Sequence, residues 1–309
     1  LAITKVHLAP EPVHRDRIVT PCRLDPFAVP LEEQTSLLLS TMDVIQRHQG
    51  VVRSHASFWA QRDRKLFVST EGSHLEFSLL AVQGECSATA VQDGRFATRS
   101  FNSPHLRMGY ELIRDTDFAS EGARIAEQAV EKVRAPVIEA GRYDLVLDPE
   151  HLSLTMHESC GHPSELDRAL GYEANYAGTS FLTPDKRGTY RYGSSHVNLV
   201  REGLFVGYCT NREVAPRINE ERSRGSNRAD SWGSVPMVRI ANIGLEPGTA
   251  TLDELLADVK RGIYIEGHGS YSIDQRRYNF QFGGDAFWLI ENGRRTHMVR
   301  DVIYHGITP

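Results

Sequence analysis

Cysteine is scarce in this chain, and its placement argues against a scaffold of disulfide bonds. The 309 residues include four cysteines, Cys22, Cys86, Cys160 and Cys209. They are widely spaced in a chain long enough to bury a hydrophobic core without covalent cross-links. We therefore expect no disulfide framework and a reducing, cytoplasmic location.

Long apolar runs and a positive net charge are also missing. No segment approaches the roughly 18 uninterrupted apolar residues of a membrane helix, and the formal net charge is −5. Nucleic-acid-binding proteins usually carry a basic face, whereas the arginines of 217–228 are interleaved with acidic residues, which indicates a solvated loop. We expect a soluble protein with neither a membrane nor a nucleic acid as partner. Residues 1–11 lack a signal-peptide pattern, and because the first residue is Leu1 the sequence looks trimmed at its start.

The hydrophobic pattern predicts an α+β protein of two domains, 1–141 and 142–309. In the N-terminal domain, amphipathic helices are predicted at 31–49 and 118–134. Branched and aromatic residues between them predict an antiparallel sheet. Its predicted strands are 65–70, 74–82 and 88–91, with turns at 71–72 and 93–94.

The second domain is predicted to be rich in strands. After a short apolar run at 143–147, Asp148 can cap a helix whose first position suits Pro149. One further helix is predicted at 251–260, where Thr251 and Glu254 form a capping box. The strand candidates are 189–192, 196–200, 204–209, 237–243, 263–266, 278–282, 286–290 and 296–304. The C-terminal domain is thus β-rich and carries the helix that Asp148 begins.

The strongest chemical signal is the segment His157-Glu158-Ser159-Cys160-Gly161-His162 near the end of that helix. Neutral imidazoles are good zinc ligands, and a glutamate beside one of them can take a proton from a zinc-bound water. The alternative is that His157 is a capping or core histidine near a helix C-terminus. The six residues alone leave both interpretations open.

The spacing of the histidines constrains the local backbone. Zinc helices usually place two histidines four residues apart, but His157 and His162 are five apart. On a regular helix this turns them roughly 140° away from each other. The helix must therefore end or distort between them. Gly161 can adopt left-handed dihedrals and Pro163 discourages helical dihedrals at His162, so a frayed helix end is expected.

The segment and its surroundings resemble the metal-binding signature of the TldD/PmbA family. The resemblance continues through the residues that follow the motif and into the C-terminal part. It is carried by His157-Glu158-Ser159-Cys160-Gly161-His162-Pro163-Ser164-Glu165-Leu166-Asp167-Arg168-Ala169-Leu170-Gly171-Tyr172-Glu173-Ala174, Tyr176-Ala177-Gly178-Thr179-Ser180-Phe181, Asn279-Phe280-Gln281-Phe282-Gly283-Gly284 and Ile290-Glu291-Asn292-Gly293. This resemblance implies His157 and His162 as zinc ligands and Glu158 as the catalytic base. It also implies an N-terminal α/β domain, a C-terminal β-rich domain and a paired assembly with an identical or related subunit.

The chain departs from the family pattern in two places. Family members with the active motif generally take a third zinc ligand from a cysteine near the C-terminus, and here Thr308 and Pro309 come before any such residue. The expected cysteine lies beyond Pro309 or is absent. Around Val200 the family usually has a longer connection, and a loop left out of the sequence there would explain the difference.

Three other residues are candidates for the third ligand. Cys160 offers a strong zinc-binding thiolate but is more simply a buried structural thiol. Cys209 lies in a strand-like segment and is most simply a core residue. His268, between two glycines, could approach a site from a loop or could be an exposed loop histidine.

Polar residues beyond the motif have two interpretations each. A carboxylate at Glu165 or Asp167 could accept the second ring N–H of a ligating histidine, whereas Asp167 and Arg168 could form a surface salt bridge of little consequence. Three tyrosines could donate to an oxyanion or line a peptide groove, although most tyrosines in β-rich domains pack in the interior. They are Tyr172, Tyr176 and Tyr271.

The function expected from these observations is a zinc-dependent peptidase that hydrolyses amide bonds in short, unfolded or modified peptides, with Glu158 activating the zinc-bound water. The alternative is a non-catalytic partner or regulatory subunit of a TldD/PmbA-type complex, because the family includes members without the motif and has been linked by name to modulation of DNA gyrase. A purely structural zinc site would leave Glu158 without a purpose.

Overall fold

A long, strongly extended sheet dominates the N-terminal half of the computed structural model, which describes residues 6–194 and 204–309. Its strands are β1 (Arg15–Val19), β2 (Val51–Val68), β3 (His74–Gln92) and β4 (Arg95–Asn102). One edge of β3 pairs with β2 along almost its whole length. The other edge pairs first with β1, in parallel, and then with β4, antiparallel.

Three helices accompany this sheet: α1 (Leu31–Gln46), α2 (Glu111–Asp115) and α3 (Phe118–Arg134). Asp117 caps α3 by accepting a hydrogen bond from the Ser120 N–H at 3.0 Å. The face of α3 that carries Ile125, Ala129 and Val133 is buried in the N-terminal core, as its periodicity predicts. Both predicted helices are confirmed, although α1 ends three residues early.

The predicted strand 65–70 covers only the end of β2, and the predicted strands 74–82 and 88–91 are two parts of the single strand β3. β2 and β3 have 18 and 19 residues, because strand pairing continues through charged stretches such as Arg62, Asp63 and Arg64 that interrupt the apolar pattern. The turns at 71–72 and 93–94 are confirmed by positive φ at Gly72, Asp93 and Gly94. The sequence pattern does not predict β1, since all five of its residues are exposed. Its parallel pairing also corrects the expectation of a purely antiparallel sheet.

Among the described residues, the C-terminal half contains two further sheets of three or four strands and one of two strands. The first has the strand order β12-β11-β8-β5, and its strands are β5 (Asp144–Leu147), β8 (Arg261–Glu266), β11 (Ala286–Glu291) and β12 (Arg294–Val299). Strand β5 is parallel to β8, whereas β11 is antiparallel to both β8 and β12. The second joins β9 (Tyr271–Ile273), β10 (Asn279–Gly283) and β13 (Ile303–Ile307). Two-residue strands β6 (Asn227–Arg228) and β7 (Met237–Val238) pair with each other.

Several strand predictions in this half need correction. The predicted strand 296–304 is two strands, β12 and β13, separated by a turn at Asp301 with a positive φ. Segments 189–192 and 204–209 form isolated bridges and no regular strand: Arg191 pairs with Leu204, and Cys209 pairs with Glu165. Phe205 and Tyr208 are buried in a loop cluster and not on a sheet. Segment 237–243 shortens to β7. The predicted strand 196–200 and the connection near Val200 lie outside the described residues.

The helices of this half are short. Helix α6 (Leu252–Ala257) opens with the predicted capping box of Thr251 and Glu254, and α4 (Pro149–Thr155) and α5 (Leu166–Ala169) flank the motif. The α+β class expected from the sequence is confirmed, whereas the domain boundary near residue 141 stays a prediction. In the described part of the chain, no helix is both long enough and apolar enough to span a bilayer.

A buried ion network crosses the predicted boundary. The Arg99 side chain is 2% exposed and places Nη1 2.5 Å from Asp285 Oδ2. Asp285 also accepts from the Ser100 N–H at 2.8 Å and from Lys132 Nζ at 3.1 Å. These bonds join β4 and α3 to the loop before β11.

The variant Asp285→Ala should be strongly destabilised, because it leaves the buried Arg99 and the partly buried Lys132 without their common partner. Breaking such a buried pair typically costs about 3–5 kcal/mol. Urea unfolding followed by circular dichroism measures the effect. The control Glu291→Ala, at an exposed position, should change stability by less than about 0.5 kcal/mol. Equal stability of the two variants would contradict a structural role for the network.

Candidate metal centre

The backbone between the two motif histidines is a π-helical turn. Helix α4 begins as predicted, with Asp148 accepting from the His151 N–H at 2.7 Å and Pro149 in the first turn. At Met156–Gly161 it widens into a π-helix, in which the His162 N–H donates to the His157 carbonyl. A π turn accommodates an extra residue, so side chains five apart come to the same side. The ring centroids of His157 and His162 lie 4.5 Å apart.

The predicted distortion is confirmed, but its predicted causes are wrong. Gly161 has φ −67° and ψ −66°, and His162 has φ −58° and ψ −39°, both in the right-handed helical region. Pro163 is tolerated because it lies in the first turn of the 3₁₀ helix His162–Ser164, where its missing N–H has no helical acceptor to lose. Gly161 leaves room for Ile240, since a Cβ there would overlap the Ile240 side chain and displace it.

The structure brings together the three residues that the sequence singled out. Ligand atoms of His157, Glu158 and His162 all lie within 4.8 Å of one another, and within residues 6–194 and 204–309 no other group of histidine, cysteine and acidic side chains has this geometry. His157 is half exposed, whereas Glu158 is buried. Burial and the neighbouring His162 lower the pKa of His157, which favours the neutral imidazole that binds a cation. The arrangement can hold a divalent metal ion with one face open to solvent.

Glu165 fixes the orientation of His162. The Glu165 side chain is fully buried, and its Oε2 accepts from His162 Nδ1 at 3.0 Å. A carboxylate oxygen accepts here, so Nδ1 carries the proton and Nε2 keeps its lone pair for a metal. Glu165 also accepts from Arg168 Nη2 at 2.9 Å and from the Ile240 N–H at 3.1 Å. Of the two alternatives left open by the sequence, the carboxylate that orients a histidine is the observed one.

The surface salt bridge between Asp167 and Arg168 is not formed. Arg168 is 1% exposed and its guanidinium faces Glu165. Asp167 instead accepts from the Val238 N–H at 2.8 Å and from its neighbour's N–H. Burial, together with the nearby Glu173, raises the pKa of Asp167 to about 6. Burial would also raise the pKa of Glu173, but hydrogen bonds from Arg239 lower it.

Arg277 is a site residue that the sequence pattern does not reveal. Its Nη1 donates to Glu158 Oε2, and the other oxygen, Oε1, lies 4.0 Å from His157 Nε2. Arg277 is 119 residues away in sequence, on the turn between β9 and β10, and no spacing rule links it to the motif. The one signal that could have indicated it is its position in the turn before Asn279-Phe280, a segment that carries the family resemblance.

The other candidate ligands lie apart from the histidines. Cys160 is largely buried beside Tyr192, and burial raises the pKa of its thiol. Cys209 contacts Ser164 Oγ at 3.6 Å, and all four cysteines are free thiols, as expected. His268 is half exposed, with Nε2 4.0 Å from Glu150.

The three tyrosines do not pack in the interior. Each is more than half exposed: Tyr172, Tyr176 and Tyr271. Tyr176 lines a cavity of about 430 Å³ together with Met237 and Arg239, close to the residues that surround Glu173. The interpretation that these side chains are core residues is therefore wrong, and a role in lining a groove stays open.

Fold and site together define an α+β protein with a buried glutamate and two histidines grouped at a helix distortion. Residues 24–135 match the PmbA/TldA metallopeptidase central domain, and residues 192–309 match the PmbA/TldA metallopeptidase C-terminal domain. The chain belongs to this family, as the resemblance implied.

Similar proteins carry names that refer to metal-dependent proteolysis. A metalloprotease of Methanothermobacter thermautotrophicus is 29% identical over 91% of this chain. A zinc metalloprotease TldD homolog of Saccharolobus solfataricus is 22% identical over 82% of it. The chain spans 65% and 58% of the lengths of these two relatives.

The fold also matches a crystal structure of a putative modulator of a DNA gyrase from Thermotoga maritima. The TM-score is 0.75 at 19% identity, over 92% of this chain and 68% of that one. At this identity the match supports the fold alone.

We predict that Glu165→Gln weakens zinc binding by roughly 10- to 100-fold, as is typical when the partner of a ligating histidine is lost. The amide can no longer neutralise Arg168, and its orientation no longer fixes the His162 tautomer. Competition with a chromophoric chelator measures the affinity, and Glu246→Gln, at an exposed position, is the control. Unchanged affinity in Glu165→Gln would show that His162 does not need this carboxylate.

The raised pKa of Asp167 predicts a pH dependence of stability. An Asp titrates near 3.9 when unfolded, so the folded protein binds the proton more tightly and gains stability below that pH. This gain, on the order of 2–3 kcal/mol, is lost as pH rises from about 4 to above 6. Relative to Asp167→Asn, wild type should therefore lose stability over this window. Chemical unfolding of both proteins at pH 4, 5, 6 and 7 tests this, and a constant difference would contradict it.

Proposed function

We propose that this chain is the catalytic portion of a zinc-dependent peptidase that hydrolyses amide bonds in short, unfolded or modified peptides. The observation that carries the proposal is the meeting of His157, Glu158 and His162 at the π-helical turn, with their ligand atoms within 4.8 Å. Family membership and the names of the relatives support metal-dependent proteolysis as the general activity. The substrate class and the mechanism belong to the proposal.

The donor set fits zinc. Imidazole nitrogens are preferred zinc ligands, and catalytic zinc sites usually have three protein ligands and an open position. His157 and His162 supply two of them, with the second ring nitrogen of His162 held by Glu165. The family resemblance implies a cysteine near the C-terminus as the third ligand, and no residue of this sequence is assigned to that position. When bound, zinc would supply a Lewis acid and lower the pKa of a coordinated water to about 7.

Glu158 is suited to move the proton in this reaction. Its carboxylate is buried beside the histidines, with Oε1 on the His157 side. It would take a proton from the attacking water and return the proton to the leaving amine. His157 is half exposed, so a peptide can reach the open face of the site. An extended or unfolded segment fits this access better than a folded domain.

The proposed assembly is a homodimer or a heterodimer with a related subunit, in the reducing interior of the cell. Pairing of subunits is implied by the family resemblance and would enclose the site and exclude folded substrates. The alternative is a non-catalytic or regulatory subunit. It is favoured by one observation, which is that the described residues provide only two histidines and one glutamate at the centre.

Zinc content and peptide cleavage test the proposal in the full-length protein. We expect wild type to carry about one zinc per subunit and to cleave an unstructured peptide. His157→Ala should lose the metal, because a ligand is gone. Glu158→Gln should keep the metal and lose cleavage by roughly 100- to 10,000-fold, the usual contribution of a general base.

Two controls separate a specific loss of metal or activity from a loss of folding. His268→Ala changes a histidine outside the cluster and should retain both zinc and cleavage. Circular dichroism should show that the inactive variants are folded. Metal-free wild-type protein without cleavage would support the non-catalytic subunit, and an active Glu158→Gln variant would remove Glu158 from the proposed mechanism.

A further inference from the structure

Arg277 lies in a turn that holds its backbone in one position. Its φ is +62°, in the left-handed region that glycine and asparagine adopt more readily than arginine. The turn is closed by Asp274, whose carboxylate accepts from the backbone N–H groups of Arg276, Tyr278 and Asn279 at 2.9–3.1 Å. Arginine is thus not the residue that the turn itself requires.

The turn is also fixed to its surroundings. The carbonyl of Gln275 accepts from the Thr179 N–H at 2.8 Å. A Cβ at Gly178 would overlap the same carbonyl, so the two segments approach as closely as backbone allows. Thr308 Oγ1 donates to the Arg277 carbonyl at 3.1 Å. Arg277 therefore projects from a rigid platform toward the metal centre.

The Arg277 guanidinium has one described anionic partner, the Glu158 carboxylate. The Arg277 side chain is 15% exposed and that of Glu158 is 8% exposed. Arg277 Nη1 binds Glu158 Oε2, while Arg277 Nε is buried without a hydrogen-bond partner among the described residues. The two Glu158 oxygens therefore have different neighbours: Oε2 binds Arg277, and Oε1 faces His157.

We propose that Arg277 is a positioning residue that keeps Glu158 available as a base and prevents its carboxylate from ligating the metal. The inference rests on the proposed function. Carboxylates are competent zinc ligands, and one Glu158 oxygen lies within reach of a cation bound by the two histidines. A carboxylate consumed as a ligand cannot accept the proton of water. The Arg277 hydrogen bond fixes the rotation of the carboxylate and offsets its charge, and both effects oppose ligation.

Cobalt(II) provides a readout that does not depend on activity, because its visible absorption bands respond to the number and type of ligands. We would load full-length wild type, Arg277→Asn, Arg277→Lys and Glu158→Gln/Arg277→Asn with Co²⁺. Asparagine tolerates the left-handed backbone, so the turn is preserved. Arg276→Ala is the matched control, since Arg276 is an exposed neighbour in the same turn.

The proposal predicts that the bands of Arg277→Asn shift as Glu158 enters the coordination shell. The shift should vanish in the double variant, which has no carboxylate, and Arg276→Ala should match wild type. With zinc, kcat of Arg277→Asn should fall at least tenfold while KM changes less than twofold. Arg277→Lys should show smaller changes in the same direction, because an ammonium keeps the charge but lacks the rigid fork of donors.

Wild-type spectra and kcat in folded Arg277→Asn would overturn the proposal, as would a shift that persists in the double variant. If the asparagine variant does not fold, Arg277→Lys decides by the same two measurements. A wild-type protein that binds Co²⁺ but cleaves no peptide would refute the proposed function, and the spectral comparison would still decide the role of Arg277. Failure of wild type to bind Co²⁺ would overturn both.

Discussion

The buried carboxylate of Glu165 is the interaction on which the candidate centre depends. It is fully buried and gathers donors from three parts of the chain: His162 at the end of the motif, Arg168 in α5 and the backbone of Ile240. A buried charge is stable only when it is paired and hydrogen-bonded, so the folded protein must place all three segments around this carboxylate. The orientation of His162, the position of Ile240 over Gly161 and the course of the chain after the motif are consequences of this one group.

The π-helical turn shows how far local chemistry could be predicted. The five-residue spacing of His157 and His162 is incompatible with two ligands on one face of a regular helix, so the spacing by itself predicts a distortion. The means of distortion could not be predicted from Gly161 and Pro163, because Gly161 keeps right-handed helical dihedrals and so does His162, the residue before the proline. The space that glycine leaves is occupied by Ile240, which lies about 80 residues further along the chain. A tertiary contact, and not conformational freedom, determines that position.

The distinction between local and tertiary interactions also separates the predictable and unpredictable parts of the fold. Helix α3 and the capping box of α6 are determined by neighbours within a few residues, and the sequence predicts both. The full lengths of β2 and β3 depend on pairing with each other across charged stretches. The segment around Phe205 and Tyr208 has apolar residues suited to a strand, yet it packs in a loop cluster with Leu166 and Phe181. Arg277 is likewise determined by a tertiary contact, since its partner Glu158 is distant in sequence.

Charge pairing explains how similar side chains can differ in role within one small centre. Two carboxylates adjoin the histidines, and each faces an arginine: Glu158 faces Arg277, and Glu165 faces Arg168. Such pairing reduces the negative charge that each carboxylate offers to a cation. The imidazoles, which are neutral in the form that binds a metal, are then the better metal donors. Under the proposed function, the centre is thereby divided into histidines that would bind metal, a carboxylate that orients one of them and a carboxylate, held by Arg277, that would transfer the proton.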